Sequence, residues 1–379
     1  MDWCYYGTRH INYILMKSKI KVAIIFGGKS AEHEVSLQSA KNVVLALDRK
    51  KYKPVLIAID KKGVWFLVKE KNFLLNSDNP KSICLNTLGA NKITVNFGSE
   101  KQFSIYGGKT DIKVDVVFPV LHGVNGEDGT MQGLLKILNV PFVGPGVLGS
   151  AAGMDKDVAK RLWQAAGIPV AKCLVIKKSE KKNLSFPNTS KQLGLPFFVK
   201  PANAGSSVGV SKVKTEKDFT VAIVQAFKYD SKILIEEFIK GREIEVAILG
   251  NEKPKASVTG EVIPHHEFYS YEAKYIDQDG AGVEIPAKLA PALVKKIQAS
   301  AIQAFELLEC QGLARVDFFV TSGGLFYVNE INTIPGFTNI SMYPKLWEAS
   351  GIKYSDLLDR LIDLAIERYA KELKQTTKF

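Results

Sequence analysis

Short apolar runs alternate with amphipathic stretches through the N-terminal part of the chain. Residues 22–26 and 114–121 are mostly apolar, and such runs predict strands that are buried on both faces. Residues 36–47 and 129–138 predict helices beside those strands, because their apolar positions recur with a helical period. This alternation predicts a small α/β domain built on parallel-type strands.

The rest of the chain alternates less regularly. A helix predicted over residues 155–166 stops at Gly167, with Pro169 just beyond it, which is typical of a helix end. A polar linker is predicted after the next strand, at 177–190. The other predicted strands are 173–176, 197–200, 210–213, 233–239, 243–249, 314–320 and 325–331, and the other helices are 216–227, 291–308 and 355–373. The whole pattern predicts an α/β protein that becomes α+β in its C-terminal part.

The composition is that of an ordinary globular protein, with 46% hydrophobic and 24% charged residues among 379. The longest apolar runs fall well short of the ~18 residues that a membrane helix requires. The four cysteines are scattered and form no C-x-x-C pair, which favours reduced thiols in a cytoplasmic protein. Residues 1–17 lack a clean signal-peptide pattern and predict a disordered tail, and Met16 offers an alternative start.

The formal net charge of +12 raises the question of a nucleic-acid partner. A nucleic-acid-binding protein typically shows a basic stripe with interleaved aromatic residues. The lysines here are spread over predicted helices and loops instead, so a solvated basic surface is the favoured interpretation. A locally positive cleft for an anionic substrate stays open.

The run Gly28-Lys29-Ser30 resembles the end of a phosphate-binding P-loop. That motif needs a glycine five positions before Gly28, where this chain has Ala23 inside an apolar strand. We therefore reject a P-loop. The polar run 30–34, which includes Glu32, instead follows the carboxyl end of a strand, where open α/β sheets bind ligands.

The stretch 314–337 carries the clearest chemical signal. Side chains alternate between the two faces of a strand, and pairing Val320 with Leu325 would place Arg315 opposite Glu330. The residues then expected on one face are Asp317, Glu330 and Asn332, with Arg315 beside them. Two carboxylates and an amide oxygen suit Mg²⁺ or Mn²⁺, although a salt-bridged hairpin is the simpler alternative. Backbone N–H groups of the following loop, 332–336, could form an anion hole.

Several other features suit a nucleotide when they are taken together. Lys200 closes a predicted strand, the small-residue loop 204–209 follows it, and Glu236-Glu237 end another strand. Lys156 lies at a helix N-terminus, which favours phosphate. Each feature alone has an ordinary explanation: a surface turn, solvated edge charges or a solvent-exposed lysine. Together they predict ATP with Mg²⁺ bound between two β-layers without a P-loop.

At this point the chain resembles the D-alanine–D-alanine ligase family of the ATP-grasp superfamily. The resemblance covers nearly everything from about Lys21 to the terminal helix and leaves out the leading residues. It rests on motifs that occur in the family's order: GGKSAEHEVSLQSA, LHGVNGEDGTMQGLL, GMDKDVAK, VKPANAGSSVGV, YEAKY, ARVDFF and NEINTIPGFTNISMYP.

The resemblance implies an ATP-grasp fold with three subdomains and ATP between two β-layers. The implied units are an N-terminal α/β substrate-binding domain at 18–140, a central ATP-grasp subdomain at 141–240 and a C-terminal one at 241–379, with a mobile loop at 261–282 that closes over the site. The implied reaction is the joining of two D-alanines for peptidoglycan precursors through an acyl phosphate. The family also implies a cytoplasmic homodimer without nucleic-acid or membrane partners.

The resemblance implies roles for individual residues. It assigns ATP binding to Lys156, Lys200, Ser207, Glu236, Glu237, Ile239 and Glu243. It assigns two Mg²⁺ or Mn²⁺ ions to Asp317, Glu330 and Asn332. Catalysis falls to Glu32, Ser206, Arg315, Gly336 and Ser341. D-Alanine binding falls to His122, Lys274, Tyr275 and Met342. Tyr275 resembles the tyrosine of the dipeptide-forming members, whereas D-Ala–D-lactate or D-Ala–D-Ser ligases and a non-catalytic ATP-binding module remain alternatives.

Overall fold

The computed structural model of the chain describes residues 18–264 and 281–375. The described N-terminal part is built on a seven-stranded sheet with the order β8-β7-β6-β3-β2-β1-β9, and β4 and β5 pair with each other. The strands are β1 (Ile20–Gly27), β2 (Tyr52–Ile59), β3 (Trp65–Val68), β4 (Leu74–Leu75), β5 (Cys84–Leu85), β6 (Asn91–Val95), β7 (Phe103–Ile105), β8 (Asp111–Ile112) and β9 (Val116–Val120). Two helices, α1 (His33–Ala46) and α2 (Thr130–Ile137), belong to this part.

The apolar run of β1 explains its central place in this sheet. Residues 22–27 are fully covered, and β1 pairs in parallel with both β2 and β9. The carboxyl ends of these three strands therefore lie at one edge, where α1 begins. An open parallel sheet binds its ligands at such an edge.

The central part is a four-stranded sheet with the order β10-β13-β11-β12, in which every pairing is antiparallel. Its strands are β10 (Cys173–Lys177), β11 (Phe197–Pro201), β12 (Ser211–Val213) and β13 (Lys232–Glu237), and its helices are α3 (Val147–Met154), α4 (Lys156–Ala165), α5 (Phe186–Leu193) and α6 (Glu216–Tyr229), with a 3₁₀ helix at Lys178–Asn183. One sheet face is apolar and packs under α6 through Phe197, Val199 and Ile235. Strand alternation puts Lys200 and Glu236 on the other face.

The C-terminal part is a five-stranded antiparallel sheet with the order β16-β15-β14-β17-β18. Its strands are β14 (Arg242–Gly250), β15 (Lys255–Pro264), β16 (Ala281–Glu284), β17 (Gly312–Val320) and β18 (Phe326–Asn332), and its helices are α7 (Pro291–Leu307), α8 (Met342–Ala349) and α9 (Tyr354–Glu372). Helix α7 covers one face of the sheet. Helix α9 contacts α1, β9 and β17, so it joins the C-terminal part to the N-terminal sheet.

The structure differs from the sequence predictions in several segments. Helices α3 and α8 and strands β15 and β16 were not predicted, and the supposed linker 177–190 contains a 3₁₀ helix and most of α5. The ends of the supposed loop 261–282 are wrong, because β15 reaches Pro264 and pairs there with Ala281 of β16. The rest of that loop lies outside the described residues. No described helix combines the length and apolar character that a bilayer crossing requires.

Candidate active site

Glu32 lies where the first and second sheets meet. It precedes α1 directly and is 7% exposed. Ser206 of the loop after β11 donates its hydroxyl hydrogen to Glu32 Oε1. Two glycines allow other backbone segments to approach Oε2, because an added Cβ would lie 2.5 Å from it at Gly123 and 3.2 Å from it at Gly205. The carboxylate thus lies in a pocket lined by two different loops.

The loop that carries Ser206 has unusual backbone geometry. Ser206 and Ser207 both have positive φ angles, 51° and 59°. Such conformations are uncommon for residues other than glycine and concentrate at functional sites. This backbone geometry is consistent with the predicted role of the loop 204–209 in binding a ligand.

Glu127 is a buried-site carboxylate that the sequence analysis missed. Its Oε2 accepts the N–H of Gly123 at 2.7 Å, and its Oε1 accepts the N–H of Ile334 at 3.2 Å. Burial raises the pKa of Glu127, and the nearby charge of Glu32 raises it further. Glu127 connects the loop after β9 to the loop after β18. The only sequence signal was its place in the motif LHGVNGEDG.

His122 belongs to a hydrogen-bond chain between the same two loops. Its Nδ1 is 3.0 Å from the carbonyl oxygen of Ile334, and its Nε2 is 3.3 Å from Ser39 Oγ. Burial lowers the pKa of His122 to about 4, so the ring is neutral at pH 7. A neutral ring that donates from Nδ1 to the carbonyl oxygen accepts from Ser39 at Nε2.

Three groups hold the backbone of Phe337 beside the predicted anion hole. Ser39 Oγ accepts its N–H at 3.1 Å, while the Asn42 amide and the Tyr354 hydroxyl each donate to its carbonyl oxygen at 2.9 Å. Gly336 is packed closely as well, since an added Cβ would lie 2.7 Å from Ser341 Oγ. The loop is therefore fixed from the N-terminal domain and from α9.

Replacing Ser39 with alanine tests whether this fixed loop supports turnover. We expect kcat to fall about 10-fold or more, because Phe337 N–H and His122 Nε2 both lose a buried partner that contributes roughly 1–3 kcal/mol. Steady-state kinetics should show the KM for ATP unchanged. The exposed Ser99→Ala is the matched control, and a folded Ser39→Ala protein with wild-type kcat would refute the role.

Arg315, Asp317, Glu330 and Asn332 meet at the paired ends of β17 and β18. The predicted register was wrong: Arg315 lies opposite Asn332, and Asp317 lies opposite Glu330. Two one-residue shifts cause the difference. Val320 pairs with Phe326 instead of Leu325, and a β-bulge adds the second shift between Phe318–Val328 and Asp317–Glu330. Simple alternation would put Val328 and Glu330 on one face of the sheet. With the bulge, Val328 lies on the buried face opposite Phe318, and Glu330 lies on the other face opposite Asp317.

The acidic pair is surrounded by cationic groups. Arg315 donates to both oxygens of Asp317 at 2.7 Å, and Asn332 donates to Asp317 Oδ2 at 2.9 Å. Arg315 also forms a 3.0 Å ion pair with Glu245, and Lys156 lies 3.2 Å from Glu330. The salt-bridged hairpin therefore stays an alternative to a metal site, with Arg315 paired to Asp317 and Glu245. Carboxylate and amide oxygens therefore lie beside cationic side chains here, as expected of a site that binds a metal ion together with phosphate.

The predicted nucleotide residues lie on the four-stranded sheet, on α4 and the loops beside it, and, for Glu243, on β14 of the five-stranded sheet. Lys200 Nζ lies 2.7 Å from Glu236 Oε1, and Lys156 donates to the carbonyl oxygen of Ala204 at 2.8 Å. Glu237 accepts the backbone N–H of Lys172 at 2.7 Å, which directs this carboxylate to a strand edge. Ile239, Glu243 and Ser207 are half-buried.

The remaining predicted residues differ in what the structure says of them. Ser341 precedes α8 and its Oγ accepts the N–H of Thr338 at 2.9 Å. The Met342 side chain is buried in the core beside Gly260, which leaves its backbone N–H at the helix terminus as the group suited to a ligand. Lys274 and Tyr275 lie outside the described residues.

Two family models match this chain. The model described as "D-ala D-ala ligase N-terminus" matches residues 21–145, and the one described as "D-ala D-ala ligase C-terminus" matches residues 162–363. Curated relatives agree. A D-alanine–D-alanine ligase of Shouchella clausii is 54% identical over 94% of this chain and 97% of its own length. D-alanine–D-alanine ligase A of Escherichia coli K12 is 52% identical over 93% of this chain and 98% of its own length.

Solved structures with the same architecture include enzymes of two second-substrate types. The D-alanine–D-alanine ligase of Coxiella burnetii superposes with a TM-score of 0.83 at 42% identity, covering 94% of this chain and 96% of its own. The VanG D-Ala:D-Ser ligase of Enterococcus faecalis has a TM-score of 0.79 at 37% identity, covering 92% of this chain and 100% of its own.

Proposed function

Because this chain belongs to the D-alanine–D-alanine ligase family, we propose that it joins two molecules of D-alanine into a dipeptide with the hydrolysis of ATP to ADP and phosphate. The predicted family and ATP-grasp fold are confirmed. The observation that carries the proposal is the contact of all three sheets around one site. Glu32 meets Ser206 of the second unit, and Glu127 meets Ile334 of the third.

ATP is proposed to bind between the four-stranded and five-stranded sheets. Lys156 and Lys200 would bind its phosphates, with the Ser207 loop over them. Both lysines are nearly covered by protein; Lys156 lies beside Glu330 of the facing cluster, and Lys200 lies beside Glu236 of its own sheet. The adenosine part would contact Glu236, Glu237, Ile239 and Glu243.

The cluster at the ends of β17 and β18 fits divalent metal ions. Asp317 and Glu330 are cross-strand neighbours with side chains 13% and 22% exposed, and Asn332 adds an amide oxygen. These hard donors would hold two Mg²⁺ or Mn²⁺ ions, which neutralise phosphate charge during transfer. Arg315 and Lys156 lie against the same carboxylates, so they also support the phosphate end of ATP.

The reacting groups would lie between Glu32 and the loop after β18. Glu32 would bind the ammonium of the first D-alanine, and Ser206 would hold the Glu32 carboxylate in place. His122 would line the same side of the substrate pocket. The first carboxylate attacks the γ-phosphorus and ADP leaves, which gives an acyl phosphate. The amine of the second D-alanine then attacks the acyl carbon. Arg315 and the Gly336 N–H would stabilise the resulting oxyanion before phosphate leaves.

The second substrate would occupy the end of the site near α8. Ser341 and the N-terminus of that helix suit its carboxylate, with the Met342 N–H at the first helical position. Lys274 and Tyr275 would complete the site from the loop between β15 and β16. Family membership also supports a cytoplasmic homodimer. It supports the division of each chain into the three units at the boundaries given above.

Phosphate release tests the reaction directly. The full chain would be incubated with ATP, Mg²⁺ and D-alanine, and the product would be identified by mass spectrometry. D-Alanyl-D-alanine that requires D-alanine and metal supports the proposal. L-Alanine is the control substrate. ATP turnover that is independent of any amino acid would refute the proposal, and ATP binding without phosphate release would favour a module that only binds ATP.

The second substrate is a separate prediction, because a D-Ala:D-Ser ligase has the same fold. We expect at least a 10-fold preference in kcat/KM for D-alanine over D-serine or D-lactate as the acceptor at pH 7.5, since Tyr275 resembles the dipeptide-forming members. Competition with isotopically labelled acceptors and mass spectrometry measures the ratio. Efficient D-lactate ligation at neutral pH would overturn this prediction.

A further inference from the structure

A buried lysine outside the proposed mechanism lies beside the nucleotide residues. Lys160 is one helical turn after Lys156 on α4, and it is 1% exposed. Its Nζ lies 2.7 Å from Glu236 Oε2. An ammonium group is rarely this buried unless it is paired with an opposite charge, because desolvation is costly. The ion pair with Glu236 is therefore essential to the placement of Lys160.

The same carboxylate also contacts a second lysine. Glu236 Oε1 lies 2.7 Å from Lys200 Nζ, so each carboxylate oxygen has its own ammonium group. Burial alone would raise the pKa of Glu236, but the charges of Lys160 and Lys200 lower it below its usual range. Glu236 is thus held ionised between two cations. Burial lowers the pKa of Lys160 and the charge of Glu236 opposes that shift; with both lysines protonated, the three side chains carry one excess positive charge.

These three charges come from three different elements. Lys160 is on α4, Glu236 on β13 and Lys200 on β11. Lys200 Nζ has a further contact, at 3.4 Å, with Asn329 Oδ1 at the bulge of β18. Lys200 therefore lies between the two sheets. Its direction depends on how strongly Glu236 attracts it.

Removing the Lys160 charge would change that balance. Glu236 would then have a single cationic neighbour, and its free Oε2 would draw Lys200 into a two-oxygen contact. At short range in a covered site, such an ion pair competes strongly with a phosphate oxygen. Lys200 would be less available to ATP, and Glu236 would be less firmly directed.

We propose that Lys160 is a positioning residue for the nucleotide: it holds the far oxygen of the Glu236 carboxylate so that Lys200 remains directed at the ATP phosphates. The proposal rests on the proposed function in placing ATP phosphates at Lys200. It does not depend on which amino acid is ligated. A lysine that only stabilised the fold would change the unfolding temperature without changing nucleotide affinity.

The test is direct binding of ATP to the full chain in the absence of D-alanine. Isothermal titration calorimetry with Mg²⁺ and the non-hydrolysable β,γ-imido analogue should show that Lys160→Met weakens binding at least 10-fold. In turnover, the KM for ATP should rise by a similar factor while the KM for D-alanine stays within twofold. Arg161→Met is the matched control, because it removes a long cation from the next, exposed position of the same helix.

A double-mutant cycle separates positioning from folding. Since Lys160 acts through Glu236, Lys160→Met with Glu236→Gln should bind the analogue no more weakly than Glu236→Gln alone. The same comparison remains valid if Lys160→Met alone does not fold. A folded Lys160→Met protein with wild-type affinity, or additive losses in the cycle, would overturn the proposal. Failure of D-alanine ligation would refute the proposed function while leaving this binding result interpretable.

Discussion

Replacing Asp317 with alanine is expected to lower kcat on the order of 1,000-fold, equivalent to about 4 kcal/mol of transition-state stabilisation. Asp317 is the proposed metal ligand nearest the centre of its cluster, lying opposite Glu330 and accepting from Arg315 and Asn332. Its loss removes a negative metal ligand and the partner that orients Arg315. Phosphate release from ATP with saturating D-alanine measures the effect.

The Asp317→Ala protein should nevertheless fold. Arg315 keeps Glu245 as a 3.0 Å ion-pair partner, so no buried cation is left without a counter-charge. Thermal unfolding checks this, and calorimetric binding of ATP across a series of Mg²⁺ concentrations should show a raised metal requirement. Asp359→Ala is the matched control, since that carboxylate lies on α9, away from the site, and pairs with Lys51. A folded Asp317→Ala protein with near-normal turnover would refute the metal role.

Residues that carry chemistry within one continuous motif could be predicted from sequence. Glu32 follows β1, Asp317 lies within β17 and Asn332 ends β18, and the apolar patterns of these strands are strong. The strands themselves were therefore predicted close to their observed bounds, as for β17 at Gly312–Val320. Local pattern sufficed because the buried face and the polar face of each strand are encoded residue by residue.

The β-bulge at Asn329 could not be predicted, because nothing in the residues 325–332 distinguishes an extra residue from strict alternation. The pairing of Asp317 with Glu330 depends on that bulge. The offset at the turn and the bulge together shift the pairing by two residues, so Asp317 and Glu330 share a face as predicted although the predicted register is wrong. A one-residue difference in pairing changes which side chains meet, even where both strands are correctly located.

Long-range partners were missed for a different reason. Glu127, Ser39 and Lys160 have unremarkable local sequence contexts, and they gain their roles from groups far along the chain. Ser39 and Phe337 are separated by 298 positions, and Lys160 on α4 pairs with Glu236 on the distant strand β13. Burial of a lysine can be read only from the fold. These residues contact the site, but no sequence motif marks them as part of it.

Replacing Glu32 with glutamine is expected to lower kcat/KM for D-alanine about 100- to 1,000-fold, because a covered carboxylate that binds an ammonium contributes roughly 3–5 kcal/mol. The affinity for ATP should stay within about twofold, since Glu32 belongs to the N-terminal sheet and the nucleotide residues to the other two. Steady-state kinetics with D-alanine and calorimetry with the ATP analogue give the two quantities separately.

The control for Glu32→Gln is Glu34→Gln, two positions further along the same segment, where the carboxylate is partly exposed and pairs with Lys61 at 2.5 Å. It should leave both constants unchanged. The contact of Glu32 with Ser206 provides the alternative explanation. If Glu32 served only to anchor the loop 204–209, its loss would weaken ATP and D-alanine binding together, and Ser206→Ala would reproduce the whole effect. Selective loss of D-alanine use, with a smaller effect of Ser206→Ala, is the result that requires a carboxylate facing the substrate ammonium.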